Sequence, residues 1–162
     1  MRPSLPGLCL VALAACQSDS TSVRPPEPTP EQPVVCDANV DPPSVRAGEP
    51  FTLSLRLRMA PTWHVEPRGS GDDASAATRV AIELGQDLET LTDWEDPAPD
   101  RDPATGGMVL TRDATFTRKL RVNGAAIGVH EIAVSVFLRA CDPCKCRPAE
   151  TLVARTRVTV KR

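Results

Sequence analysis

Phe51-Thr-Leu-Ser-Leu-Arg-Leu-Arg-Met59 alternates without a break. Phe51, Leu53, Leu55, Leu57 and Met59 share one side; Thr52, Ser54, Arg56 and Arg58 share the other. Successive side chains of a strand point to opposite faces, so one face of this segment belongs in a core and one in water. Strands patterned in this way build antiparallel sheets. Outward from it the same period returns several times. Arg79–Leu84 puts Val80, Ile82 and Leu84 inward, and Thr115–Val122 does the same with Phe116, Leu120 and Val122. His130–Leu138 aligns Ile132, Val134, Val136 and Leu138, and Leu152–Val160 aligns Leu152, Ala154, Val158 and Val160. Val34–Val40 reads as a short edge strand, and Trp63–Pro67 as a short strand stopped by its proline. Asp41-Pro-Pro43, Arg46-Ala-Gly-Glu49 and Asn123-Gly124 are turn signals. Gly69–Ala77 reads as a loop, and Leu88–Gly107, with Pro97, Pro99 and Pro103, as a long exposed excursion. No stretch carries a convincing helical period. The expected fold class is all-β, an antiparallel β-sandwich.

Composition agrees. The chain has 162 residues, enough for one domain with a real core. Its 17 prolines favour spacers, turns and strand edges over helices. With two Trp, three Phe and no Tyr, the core must be made of Val, Leu, Ile and Ala. A formal net charge of −2 gives no basic excess for nucleic acid.

The first residues point to export. Arg2 precedes a short apolar segment, Leu8–Leu13, too short for a stable transmembrane helix, and Ala14-Ala15 follow as small residues suited to cleavage. Leu13-Ala-Ala-Cys16 resembles the lipobox of bacterial lipoproteins, which implies a signal peptide over 1–15 and lipid on Cys16. Gln17, rather than Asp, follows that cysteine and leans toward the outer membrane. Residues 16–35 are the lipidated cysteine and a Pro-rich, disordered, extended spacer; 36–162 are the expected domain. No other segment is apolar enough to cross a membrane, so the expectation is a soluble domain tethered by lipid.

Cys9 leaves with the signal and Cys16 is blocked, so Cys36, Cys141, Cys144 and Cys146 remain. Three of them fall in Arg139-Ala-Cys-Asp-Pro-Cys-Lys-Cys-Arg-Pro-Ala-Glu-Thr151, between two strands, at the tip of a hairpin. Four thiols allow three full pairings, and all stay open here. Arg139, Lys145 and Arg147 favour a thiolate at this turn; Asp142 and Glu150 oppose it. Pro143 and Pro148 restrict the loop.

Trp63-His-Val-Glu-Pro67, a long loop, a strand running into Ala140-Cys141, and Cys146-Arg-Pro-Ala-Glu-Thr151 occur in an order that resembles the N-terminal periplasmic domain of the DsbD family of thiol:disulfide interchange proteins. The resemblance spans roughly Pro50 to Val160. It implies an immunoglobulin-like sandwich and a redox-active pair at Cys141 and Cys146, with Cys146 the nearer choice for attack. It implies protein-disulfide reductase activity without a cofactor, and a monomer that relays electrons from a membrane-embedded donor to thioredoxin-like periplasmic proteins, the setting of cytochrome c biogenesis. The chain departs from the family in three ways. Cys144 is an extra thiol, the loop between the pair is slightly shorter, and the aromatic cap has no Tyr to build it. The loop around Trp94, Glu95 and Asp96 is the candidate for that cap, and for proton transfer. The 162 residues show no counterpart of the family's transmembrane and thioredoxin-like parts, so the expectation for a redox-active chain is that its electrons come from a separate protein.

Two plainer readings stand beside this. The turn is either a hairpin stapled by inert disulfides, or a site where Cys141, Cys144 and Cys146, with Cys36 or a histidine, bind copper or zinc in a non-enzymatic module. His64 and His130 read as satisfied surface or edge residues, and Trp63 as core.

Overall fold

A computed structural model describes residues 26–69, 77–124 and 127–162. Cys9, Cys16 and most of the spacer lie outside the described residues, as does the middle of the 69–77 loop.

The strands in chain order are β1 (Val34–Asp41), β2 (Ser44–Arg46), β3 (Pro50–Met59), β4 (His64–Val65), β5 (Arg79–Glu83) and β6 (Leu88–Thr90). They continue with β7 (Asp100–Arg101), β8 (Met108–Thr111), β9 (Asp113–Val122), β10 (Gly128–Leu138), β11 (Ala140–Cys141) and β12 (Glu150–Lys161). There is no helix among the described residues. One four-stranded sheet has the order β1-β3-β9-β6, and a second has the order β2-β12-β10-β5. These two layers form the expected immunoglobulin-like β-sandwich. A third sheet, β11-β4-β8-β7, carries the cysteine turn.

The alternation of β3 is realised in full: Phe51, Leu53, Leu55, Leu57 and Met59 are all buried. They meet Phe116, Leu120 and Val122 of β9 within their own sheet, and Ile132, Val134, Val136 and Leu138 of β10 from the facing sheet, in one continuous core. Burying each such side chain contributes about 1.5–3 kcal/mol, which outweighs the weak intrinsic preference of any single strand.

Four details differ from the sequence reading. β1 begins at Val34, two residues before position 36, and Val34 and Val35 are buried in it. The sandwich is not wholly antiparallel, because β2 runs parallel to β12, with Val45 opposite Val160. Leu84 lies past the end of β5 and is 42% exposed, since the pairing of β5 with β10 stops at Glu83. The stretch from Leu88 to Gly107 is not a free excursion. Leu88–Thr90 joins β9 as an edge strand, Glu95 exchanges backbone hydrogen bonds with Thr117, and Asp100–Arg101 pairs with β8. The prolines prevent a long regular strand there, but the exposed edge of β9 still recruits the chain's backbone groups.

Candidate redox site

The hairpin of β10 and β12 closes with Leu138 opposite Glu150, and the chain between them folds into a smaller hairpin. Asp142 donates its N–H to the Lys145 carbonyl at 2.8 Å, and Arg147 donates to the Ala140 carbonyl at 2.8 Å. These two bonds bracket Cys141 and Cys146 as a directly opposed, non-hydrogen-bonded pair, the position in an antiparallel ladder where backbones approach most closely. Their Cα atoms are 4.0 Å apart, and a disulfide joins their sulfurs. Pro143 and Cys144 form the tip. The backbone N–H groups of Cys144 and Lys145 both donate to Asp142 Oδ1 at 2.8 Å, so one carboxylate organises the turn. Those bonds hold the Asp142 carboxyl below its ordinary value, because they favour the charged form.

β11 hydrogen-bonds to β4, with Ala140 opposite Val65 and Cys141 opposite His64. Val65 and Ala140 are buried, so Cys141 and His64 share the opposite face. The next pair on that face is Arg139 and Glu66, whose charged groups lie 3.8 Å apart. The row opens onto a cavity of about 1030 Å³, lined in part by Trp63, His64, Asp102, Met108, Arg112 and Cys141. Two residues on its rim have backbones in the left-handed region, Thr62 at φ 71° and Arg112 at φ 58°. Thr62 follows Pro61 in the turn that Trp63 N–H closes onto the Ala60 carbonyl. Arg112 separates β8 from β9, where the chain leaves the third sheet for the sandwich. Left-handed conformations cost about 1–2 kcal/mol for a residue with a Cβ, so both bends are held by their surroundings.

The structure brings Cys141 and Cys146 together and leaves Cys144 and Cys36 as free thiols, which rules out a Cys36–Cys144 bridge in this state. Cys146 is exposed, whereas Cys141 is half-buried against β4. Cys36 packs against the core from β1, and burial, then the charge of Asp37, pushes its thiol up to about 11. Iodoacetamide on the oxidised protein at pH 8 is therefore expected to label exposed Cys144 first. Cys36 should react about a hundredfold more slowly, because the thiolate is the nucleophile. Residue-resolved mass spectrometry over a time course checks this.

The structure places Trp94, Glu95 and Asp96 outside the cavity lining beside the disulfide. Trp94 is buried in the sandwich core, Glu95 is bound to Thr117 of β9, and Asp96 forms an ion pair with Arg68 at 2.6 Å. The excursion instead contributes its later part, Arg101 to Thr105, to that lining. For the metal reading, two of the three proposed sulfurs are consumed by the disulfide. Among the described residues no group of three or more His, Cys, Asp or Glu side chains is placed to hold an ion.

The sequence reading takes His64 as a satisfied surface or edge residue, and the structure places it in the row beside the disulfide. His64 stands in a two-residue strand, too short for any period to orient it, and only the pairing of β4 with β11 sets it beside Cys141. His130 lies on β10 opposite Val158, outside the cavity lining.

Fold and site together define a β-sandwich domain bearing a disulfide-bridged hairpin at the edge of an open cavity. No protein-family model matches the chain, and no curated protein matches it. Among solved structures, it is similar to the N-terminal periplasmic domain of ScsB from Proteus mirabilis, with a TM-score of 0.50 and 16% identity. That match covers 77% of this chain and 47% of the other, so the chain spans about half the length of that neighbour. Identity at this level shows the shared fold alone. The ZirS C-terminal domain (TM-score 0.35, 11% identity, 100% of this chain and 88% of that one) is more distant. So is AggA, the major subunit of aggregative adherence fimbriae type I from Escherichia coli (TM-score 0.38, 10% identity, 79% and 95%). Neither carries an argument.

Proposed function

We propose that this protein is a periplasmic thiol:disulfide interchange protein, tethered to the envelope by lipid on Cys16, whose Cys141 and Cys146 alternate between disulfide and dithiol. One observation carries the reading: the bridge spans two directly opposed hairpin residues at a cavity edge, with one sulfur exposed and the other half-buried. Backbone hydrogen bonds on both sides of the pair and the pairing with β4 hold the hairpin without the bridge. Exchange needs what this arrangement provides, a reachable disulfide sulfur and a second thiol close enough to re-form the bond.

An incoming thiolate attacks the exposed Cys146 sulfur, the Cys141–Cys146 bond breaks, and Cys141 leaves with the electron pair. The partner's second thiolate then attacks the partner's own sulfur in the mixed disulfide and releases Cys146. Two electrons pass from a partner dithiol to this protein, and the reverse sequence passes them on. A membrane-embedded donor and thioredoxin-like acceptors fit the two ends of that relay. The location named for the structural neighbour, a periplasmic domain, supports the same compartment.

The test is a redox titration of the full chain in glutathione and dithiothreitol buffers, with thiol trapping and mass spectrometry. Structural disulfides of secreted proteins sit below about −300 mV, and exchange-active pairs lie higher. Equilibration of Cys141–Cys146 in the higher range is the expected result. Resistance throughout means an inert staple and overturns the proposal.

A further inference from the structure

We propose that His64 is the acid–base partner of the Cys141 sulfur, protonating it as it leaves the disulfide and accepting its proton before it attacks. This inference rests on the exchange reading and names a residue for its proton transfers.

The placement is set by register. Val65 and Ala140 are opposite one another and almost fully buried, so a one-residue slip of β4 on β11 would expose both. With that register, His64 and Cys141 are direct cross-strand neighbours on the cavity face, where opposed Cβ atoms lie about 4.5–5.5 Å apart. The ion pair of Glu66 with Arg139, one step along the same face, shows that side chains of the two strands meet there. Both His64 and Cys141 are half-buried and both line the cavity, so the imidazole is sheltered yet open to water for proton exchange.

The chemistry assigns the two sulfurs different partners. Cys146 is the exposed sulfur, open to an incoming thiolate. Cys141 is then the leaving group, and a leaving thiolate departs faster when its negative charge is stabilised. An imidazolium beside it supplies that charge and then the proton: the Cys141 thiolate and protonated His64 become a thiol and a neutral imidazole. In the reverse direction the neutral imidazole takes the proton, and the Cys141 thiolate attacks the mixed disulfide, releasing the partner's thiolate. Atoms and electrons balance without any further reactant.

The charged groups around His64 come from every element that meets it. Glu66 and Arg139 offset one another as a pair. Asp142 lies in the tip of the β11 hairpin, Asp102 and Arg101 lie at and beyond the end of β7, and Arg112 follows β8. The two aspartates are held below the ordinary carboxylate range by hydrogen bonds, Asp142 from the Cys144 and Lys145 amides and Asp102 chiefly from the Thr105 hydroxyl. The charge of His64 adds to both.

The experiment measures iodoacetamide alkylation of Cys141 against pH in the chemically reduced full chain, resolved by peptide mass spectrometry. His64→Gln and His64→Lys are compared with the parent after circular dichroism confirms the sheet. The parent profile is expected to show, besides the inflection of the thiol itself, a second one from the imidazole. His64→Gln should lose the second inflection and slow alkylation about tenfold at pH 7, because the thiolate loses its cationic neighbour. His64→Lys, which keeps a positive charge, should restore the rate without the second inflection. A His64→Gln profile that overlays the parent overturns the inference, and so does slowing by Gln and Lys alike. Because the protein is already reduced, this result is independent of whether the pair exchanges with a partner, which the redox titration decides.

Discussion

In a Cys144→Ser background, Cys141→Ser and Cys146→Ser are each expected to reduce exchange with a thioredoxin-like partner to the uncatalysed background, but to fail differently. Cys141→Ser keeps the exposed sulfur, so it should form a mixed disulfide with an oxidised partner and hold it, having no neighbour to resolve it. Cys146→Ser keeps only the half-buried sulfur and should trap partner much more slowly. The background substitution matters because Cys144, an exposed free thiol two residues from Cys146, can stand in as a resolving thiol. Non-reducing gels with mass mapping read the difference. The fold should survive both changes. A bridge closing a sequence separation of 5 contributes about 2 kcal/mol by chain entropy, and the sandwich core does not depend on it. Equal trapping by both variants would show that the exposure of the two sulfurs does not set the order of attack. Full activity in both would remove the pair from the chemistry.

The second large effect falls on Trp94. Trp94→Ala is expected to cost about 3–5 kcal/mol and to lower the melting temperature by about 10–20 °C, because the indole is 6% exposed and packed into the core. Trp94→Phe should recover most of that loss by refilling the space. Neither should change the exchange rate of the folded fraction, since Trp94 does not line the cavity beside the disulfide. Thermal melts together with exchange assays on the folded protein check both arms. A cap residue would behave in the opposite way, with little loss of stability and a large change in the reactivity of the cysteines.

The Trp94 case shows where sequence pattern stops being informative. Phe51–Met59 declares its buried face because a period of two, repeated over nine residues, has one interpretation. Glu89–Asp96 has no period, so its polar character reads as exposure. Its backbone nevertheless pairs with β9 through Leu91, Glu95 and Thr117, and that pairing delivers the indole into the core. The cysteine turn is intermediate. Spacing placed Cys141, Cys144 and Cys146 in one short loop and left three pairings open. Hydrogen bonds on either side of Cys141 and Cys146 set these two directly opposite, with Cα atoms 4.0 Å apart, and they bond while Cys36 and Cys144 stay free, so none of the three full pairings forms.

By itself the sequence determined the all-β class, the inward faces of the long strands, and the loop in which three sulfurs gather. Each of these follows from local alternation, turn chemistry or spacing along the chain. The resemblance pointed to Cys141 and Cys146; the tertiary structure alone decided that Cys36 and Cys144 stay free, that Cys141 is the half-buried sulfur of the pair, that His64 faces it, and that Trp94 belongs to the core. These depend on pairings between segments far apart in sequence, such as β4 with β11, whose two-residue strands are too short to signal a partner. Their register is set by what the whole fold must bury.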